Sequence, residues 1–105
     1  MKMLIEKGIE VVVGSQFDDL ETDPIAIEFA RLFVAKEKYN GEEKGRIVRL
    51  VERWHTEVVQ KEAHPRFAGS GTWLYEFKGQ VFKVEGTANG RGFHGTTYYI
   101  GRVSV

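Results

Sequence analysis

The stretch that decides the fold runs from Thr72 to Gly86 and reads TWLYEFKGQVFKVEG. Aromatic and β-branched residues alternate with polar ones on both sides of Lys78-Gly79. This is the pattern of two half-buried strands joined by a two-residue turn. With that turn, Tyr75 lies opposite Phe82 on one apolar face. The stretch therefore predicts an antiparallel hairpin that needs a core on one side.

A third strand is predicted over residues 93–103, because aromatic and β-branched residues return there after a glycine-rich segment. Asn89-Gly90 is a typical type I′ turn and predicts the connection to the preceding strand. Counting through this turn places Glu85 across from His94. The carboxyl-terminal third is therefore expected to be a three-stranded antiparallel meander.

The residues before this sheet predict one strand and two helices. A β-branched run from Gly8 to Gly14 indicates a strand. Thr22-Asp23-Pro24 then supplies an oxygen cap followed by proline at the first helical position, so helix one is expected to start there. Helix two is expected from Glu42 to about Ala63. Together these elements predict one α+β domain over residues 1–105, with both helices packed on one face of the meander.

Composition narrows the function classes before any motif is considered. The 105 residues include 15 Lys plus Arg and 15 Asp plus Glu, so the net charge at neutral pH is zero. No overall field attracts nucleic acid or an anionic membrane, and a nucleic-acid partner is disfavoured. The chain has no cysteine, which excludes disulfides, thiolate metal sites and cysteine nucleophiles. Charges near the amino terminus exclude a signal peptide or membrane span there, and a cytoplasmic location is expected.

Helix one carries apolar residues on almost every side of its axis. One sheet cannot cover all of them, because Ile27 and Val34 lie on the opposite side of the helix axis from Ile25 and Leu32. Helix two also carries apolar residues outside its main stripe. A two-fold symmetric homodimer would bury this surface. The expected interface residues are Ile27, Val34, Val48 and Val59.

Candidate catalytic groups are few. Glu85 facing His94 across two strands is the best acid-base pair that the sequence offers, and an exposed ion pair is the alternative interpretation. Arg91 lies in a glycine-rich segment whose backbone amides can form an anion-binding nest, or simply a mobile hairpin tip. No nucleotide fingerprint is present, and the metal-ligand spacing Glu52-x-x-His55 occurs in one copy where a di-iron centre needs two, so neither cofactor nor metal is expected.

In architecture alone, helices that precede a curved antiparallel sheet resemble the cystatin-like and nuclear-transport-factor-like cone folds. That resemblance implies a small-molecule pocket between sheet and helices. Its expected lining is aromatic: Trp54, Trp73, Tyr75 and Tyr99. The register through Asn89-Gly90 turns Tyr98 and Ile100 to the other face of the sheet, away from the helices.

Three functions remain open at this stage. The favoured one is a small homo-oligomeric binding or regulatory module without catalytic activity. Each candidate group of catalytic residues is better explained by a structural role. The alternative is a small-molecule carrier or enzyme with a cone-type pocket. A nucleic-acid-binding module comes third. An enclosed apolar pocket would favour the carrier or enzyme, and an open apolar patch would favour assembly.

Overall fold

A computed structural model describes residues 2–6, 9–14, 22–38, 45–66, 70–88 and 96–103. The elements follow along the chain as β1 (Lys2–Glu6), β2 (Ile9–Val13), α1 (Pro24–Lys38), α2 (Arg46–Glu57), β3 (Val58–Pro65), β4 (Gly71–Phe77), β5 (Gln80–Ala88) and β6 (Thr96–Arg102). Two helices and one sheet confirm the predicted α+β class.

The sheet has six strands in the order β1-β2-β6-β5-β4-β3. β2 and β6 are parallel, and the other four neighbouring pairs are antiparallel. The prediction of a three-stranded antiparallel meander is therefore wrong in strand number and in pairing. The single amino-terminal strand is also wrong, because β1 and β2 are two strands of an antiparallel pair. The parallel pairing joins the two ends of the chain, and local sequence patterns carry no signal for such a contact.

The β4–β5 hairpin forms as its alternation predicts. Lys78 and Gly79 have φ values of 49° and 79°, the left-handed geometry that a tight hairpin turn requires. Tyr75 pairs with Phe82 and Trp73 with Val84 in this register. The apolar face of the hairpin therefore faces the core.

α1 also begins where predicted. The backbone N–H of Ile25 donates to the Asp23 carboxylate at 2.9 Å, and Pro24 occupies the first helical position. The same Asp23 carboxylate pairs with Arg102 of β6. The cap thus ties the start of the helix to the end of the sheet.

The second helix is shorter than predicted, because α2 ends at Glu57 and the chain continues directly as β3. Val58 has φ −106° and ψ 130°, an extended conformation. Val58 and Val59 are β-branched and fit a strand at least as well as a helix. Pairing with β4 decides between the two states, and a bulge between Gln60 and Glu62 interrupts that pairing.

The predicted register of the last strand is wrong. Glu85 pairs with Tyr99 on β6, five positions beyond His94. Side chains alternate between faces along a strand, so an odd shift exchanges the two faces. Tyr98 and Ile100 consequently lie in the core, 8% and 2% exposed, whereas Tyr99 is 48% exposed on the other face.

Both helices cover one face of the sheet, and the core lies between the helices and that face. α1 contributes Phe29 and Phe33, and α2 contributes Val51 and Trp54. The sheet supplies the remaining large side chains of the core: Val11, Val13, Tyr75, Phe77, Phe82, Val84, Tyr98 and Ile100. Phe29 stacks on Phe82 with ring centroids 4.6 Å apart.

Candidate functional site

A cleft runs between α1 and α2, outside the main core. Its volume is about 780 Å³. The apolar lining comes from both helices: Pro24, Ile27, Leu32, Val34, Ala35, Ile47 and Leu50. The charged lining is Glu28, Arg31, Arg46 and Arg53. Partly buried apolar residues with charged neighbours are typical of a surface that another apolar element can cover.

The cleft exists because α1 has more apolar sides than the rest of the chain covers. Phe29 and Ala30 point into the core and are fully buried. Ile27 and Val34 stay only partly buried, although both belong to the same helix. α2 covers part of this second side through Leu50. The remaining apolar surface is the open floor of the cleft.

An ion-pair network closes one part of the cleft lining. Glu28 of α1 accepts hydrogen bonds from Arg53 of α2 and from Lys78, whose Nζ lies 3.1 Å from both carboxylate oxygens. Arg53 Nε also donates to Glu57 Oε2 at 2.8 Å. The hydrogen bond from Arg53 lowers the pKa of Glu28, so this carboxylate is ionised at neutral pH. The network links α1, α2 and the β4–β5 turn.

A smaller cavity lies between α1 and the sheet. Its volume is about 200 Å³. The lining combines four aromatic rings with three polar side chains: Phe33, Lys36, Glu37, Gln60, Trp73, Tyr75 and Tyr98. We call this space the aromatic cavity. Ligand pockets for drug-sized molecules measure roughly 300–1,000 Å³, so the aromatic cavity suits only a smaller ligand.

Two neighbouring charges stand at the aromatic cavity. Lys36 Nζ lies 2.7 Å from Glu37 Oε1, and their side chains are 32% and 24% exposed. The same ammonium lies 5.6 Å from the centroid of the Phe33 ring and 5.3 Å from that of Trp54. Burial, and next the negative charge of Glu37, raise the pKa of Tyr75 to about 12. The Tyr75 hydroxyl therefore stays protonated at physiological pH.

The structure brings together three of the four residues predicted to line a pocket. Trp73 and Tyr75 line the aromatic cavity. Trp54 packs behind it, with its ring centroid 4.9 Å from that of Tyr75. Tyr99 lies on the opposite face of the sheet and cannot share a pocket with them. Its predicted placement is wrong because the predicted β6 register is wrong by an odd number of residues, which exchanges the two faces of the strand.

The sheet register pairs Glu85 with a residue other than the one predicted. Glu85 pairs with Tyr99 in the sheet, and its carboxylate lies 2.8 Å from Lys83 Nζ on the same strand. His94 and Arg91 lie outside the described residues, as does the predicted hairpin tip at 89–92. Glu85 is an exposed, ion-paired sheet residue.

The four predicted interface residues fall in different places. Ile27 and Val34 line the cleft. Val48 is a partly buried residue of α2 outside the cleft lining. Val59 is 55% exposed on β3, not on a helix, so it was assigned to the wrong element. Only the first pair shares one surface.

Sequence reasoning missed several lining residues of both spaces. Ile47 and Leu50 fit the core stripe of α2, and their spacing alone does not reveal that they line an open cleft. Tyr98 was missed because of the β6 register, and Gln60 because β3 was read as helix. Lys36 and Glu37 belong to the charged last turn of α1, which a sequence pattern assigns to solvent.

Two features are absent from the described part of the chain. No helix in it is long and apolar enough to span a membrane. Among the same residues, no three His, Asp or Glu side chains come together where they could hold a metal ion. No protein-family model, curated protein or solved structure matches this chain.

Proposed function

We propose that this chain is a small homo-oligomeric binding or regulatory module that self-associates through the cleft between α1 and α2. The single observation that carries the proposal is the cleft itself, with Ile27 and Val34 only partly buried on its floor. Leaving apolar surface in water forgoes roughly 25 cal/mol per Å². A second copy that covers the cleft recovers this free energy.

A second copy suits the shape of the cleft. In a two-fold dimer the same surface serves both partners, so each copy must offer a ridge as well as a groove. Rows of side chains on α1 and α2 border the cleft, and helices pack by placing such rows into the grooves of a facing helix.

The proposal is tested by placing a charge in the cleft. Val34→Glu and Ile27→Glu would each bury an unpaired carboxylate in the interface, so both variants are expected to be monomers. Ile27 is the cleaner position, because Val34 also packs against the core cluster. Thr56→Glu, at an exposed position of α2 outside the cleft lining, is the matched control and should keep the dimer.

Sedimentation velocity at equal concentrations, with circular dichroism to confirm folding, distinguishes the outcomes. Folded monomers for both cleft variants beside a dimeric control support the proposal. A wild-type protein that is itself monomeric, or cleft variants that stay dimeric, would overturn it.

The aromatic cavity favours a second candidate function, a carrier or enzyme for a small molecule. Its specific support is an aromatic lining with polar groups, the usual composition of ligand sites. A ligand that binds only the folded state raises the melting temperature. Thermal-shift screening against a metabolite library is therefore the test. Hits that Trp73→Ala abolishes favour this candidate, and a screen without hits counts against it.

A further inference from the structure

Four aromatic rings line the aromatic cavity. Phe33, Tyr75 and Tyr98 are at most 8% exposed, and the partly buried Trp73 joins them. The rings of Trp73 and Tyr98 lie 6.5 Å apart, and that of Phe33 lies 4.9 Å from Tyr98. An aromatic face carries negative charge density, so several faces around one space attract a cation.

An ammonium group already lies beside one ring of the cavity lining, that of Phe33, and beside the ring of Trp54 behind the cavity. Lys36 Nζ stands within 6 Å of two ring centroids, which is the distance of a cation–π contact. It also pairs with Glu37 Oε1 at 2.7 Å. The Lys36 ammonium thus shows which chemical group this corner of the fold accepts. It is partly exposed and held by a flexible stem, so a ligand can displace it toward water.

A negative charge also stands at the cavity. Glu37 lines the cavity, and its charge adds to the effect of burial in raising the pKa of Tyr75. Among the described charged residues of the lining, only Lys36 opposes Glu37. Once Lys36 moves outward, Glu37 and the rings leave a site that favours a positive ligand.

We infer that the aromatic cavity is a binding site for a small alkylated ammonium ion, which replaces the Lys36 ammonium against the rings and Glu37. Alkylated ammonium is favoured because it loses less hydration than a primary ammonium and fits an aromatic cage. A volume of about 200 Å³ equals that of roughly seven water molecules at about 30 Å³ each, which limits the ligand to a small ion. This inference rests on the second candidate function, because it names the ligand class of that cavity.

The first experiment compares choline with its neutral carbon isostere, in which a tert-butyl group replaces the trimethylammonium group. Calorimetric titration of the wild-type chain should show choline binding about tenfold more tightly. Fluorescence gives an independent signal, because Trp73 lines the cavity and the chain has only 2 tryptophans. Equal affinities for the two probes, or no binding of either, would overturn the inference.

The second experiment changes the two charges separately. Glu37→Gln keeps the shape and removes the carboxylate, so it should weaken choline binding about tenfold. Lys36→Met keeps the aliphatic stem and removes the tethered cation, so it should tighten choline binding. Lys83→Met is the matched control: Lys83 also pairs with a carboxylate, that of Glu85 at 2.8 Å, but it lies outside the cavity and outside the cleft.

The control should bind choline as the wild type does. Opposite effects of the two cavity variants support the inference, whereas equal effects of all three variants would contradict it. Near-ultraviolet circular dichroism checks that each variant keeps its aromatic packing. If choline fails while other library compounds bind and respond to Trp73→Ala, the ligand class is wrong and the carrier function stands. If no compound binds, both fail.

Discussion

The two sides of α1 both carry apolar residues and differ in what covers them. The inner side places Phe29 and Ala30 against the sheet, where they are fully buried. The outer side places Ile27 and Val34 in an open cleft, where they are partly buried. One chain of this size supplies one sheet, and one sheet covers one side of a helix. The inner side therefore stabilises the fold, and the outer side is the surface that we propose for self-association.

The largest effect is expected on the inner side. Phe29→Ala removes a fully buried ring that stacks on Phe82 and also packs near Trp54 and Tyr75. Phe→Ala changes in cores cost about 3–5 kcal/mol. Urea denaturation should show this loss at every protein concentration. A loss below about 1 kcal/mol would mean that the inner side is no better packed than the cleft.

A smaller, concentration-dependent effect is expected on the outer side. Ile27→Ala removes a partly buried side chain and should cost about 1 kcal/mol or less in the dilute monomer. The cost should grow with protein concentration, because the dimer stabilises the folded state by mass action. Urea denaturation at low and high concentration measures both values. A cost that is large and independent of concentration would place Ile27 in the core of the monomer.

A still smaller effect is expected at the ion network beside the cleft. Glu28→Gln should lower stability at neutral pH by up to about 1 kcal/mol, because Glu28 bridges Arg53 and Lys78. The pKa of Glu28 is lowered from 4.5 in the folded state. Its contribution is therefore present above pH 4.5 and is lost as the pH falls through the lowered pKa. Urea denaturation from neutral to acid pH should show the two proteins converging.

The control for this network is Glu85→Gln, which removes a carboxylate paired with Lys83 on the same strand. The Glu85–Lys83 pair lies within one strand and joins no two elements. Its loss should therefore change stability less than Glu28→Gln does at neutral pH. A stability difference between Glu28→Gln and wild type that persists at acid pH would contradict the electrostatic explanation.

The smallest effect is expected at Val59. It is 55% exposed on β3 and lies outside the cleft, although the sequence suggested an interface role. Val59→Thr keeps the β-branched shape and should change stability by less than about 0.5 kcal/mol. Sedimentation should show the wild-type mass. Dissociation of a dimer by this change would move the interface from the helices to the sheet edge.

The predictable parts of the fold are those that neighbouring residues determine. The alternation around Lys78-Gly79 and the Asp23-Pro24 cap are local signals, and both formed as predicted. Val58 fits both the apolar stripe of α2 and a strand, so its pairing with β4 decides that it is extended rather than helical. The β6 register was predicted from a two-residue Asn89-Gly90 turn, whereas β5 ends at Ala88 and β6 begins at Thr96. A register error of an odd number of residues exchanges the two faces of the strand.

The candidate site was predictable to the same degree. Excess apolar surface on α1 is visible in the sequence, and Ile27 and Val34 do line an open cleft. The aromatic cavity draws residues from α1, β3, β4 and β6. Two of those strands were misassigned in element or in register, so the ring of residues could not be assembled from the sequence.

Sedimentation equilibrium of the unmodified chain at micromolar concentrations tests the central claim most directly. If a second copy covers the outer side of α1, the apparent mass approaches twice the chain mass of 12.0 kDa and falls on dilution. A mass of 12.0 kDa at every concentration would contradict the claim, because the cleft would then stay open in the isolated protein.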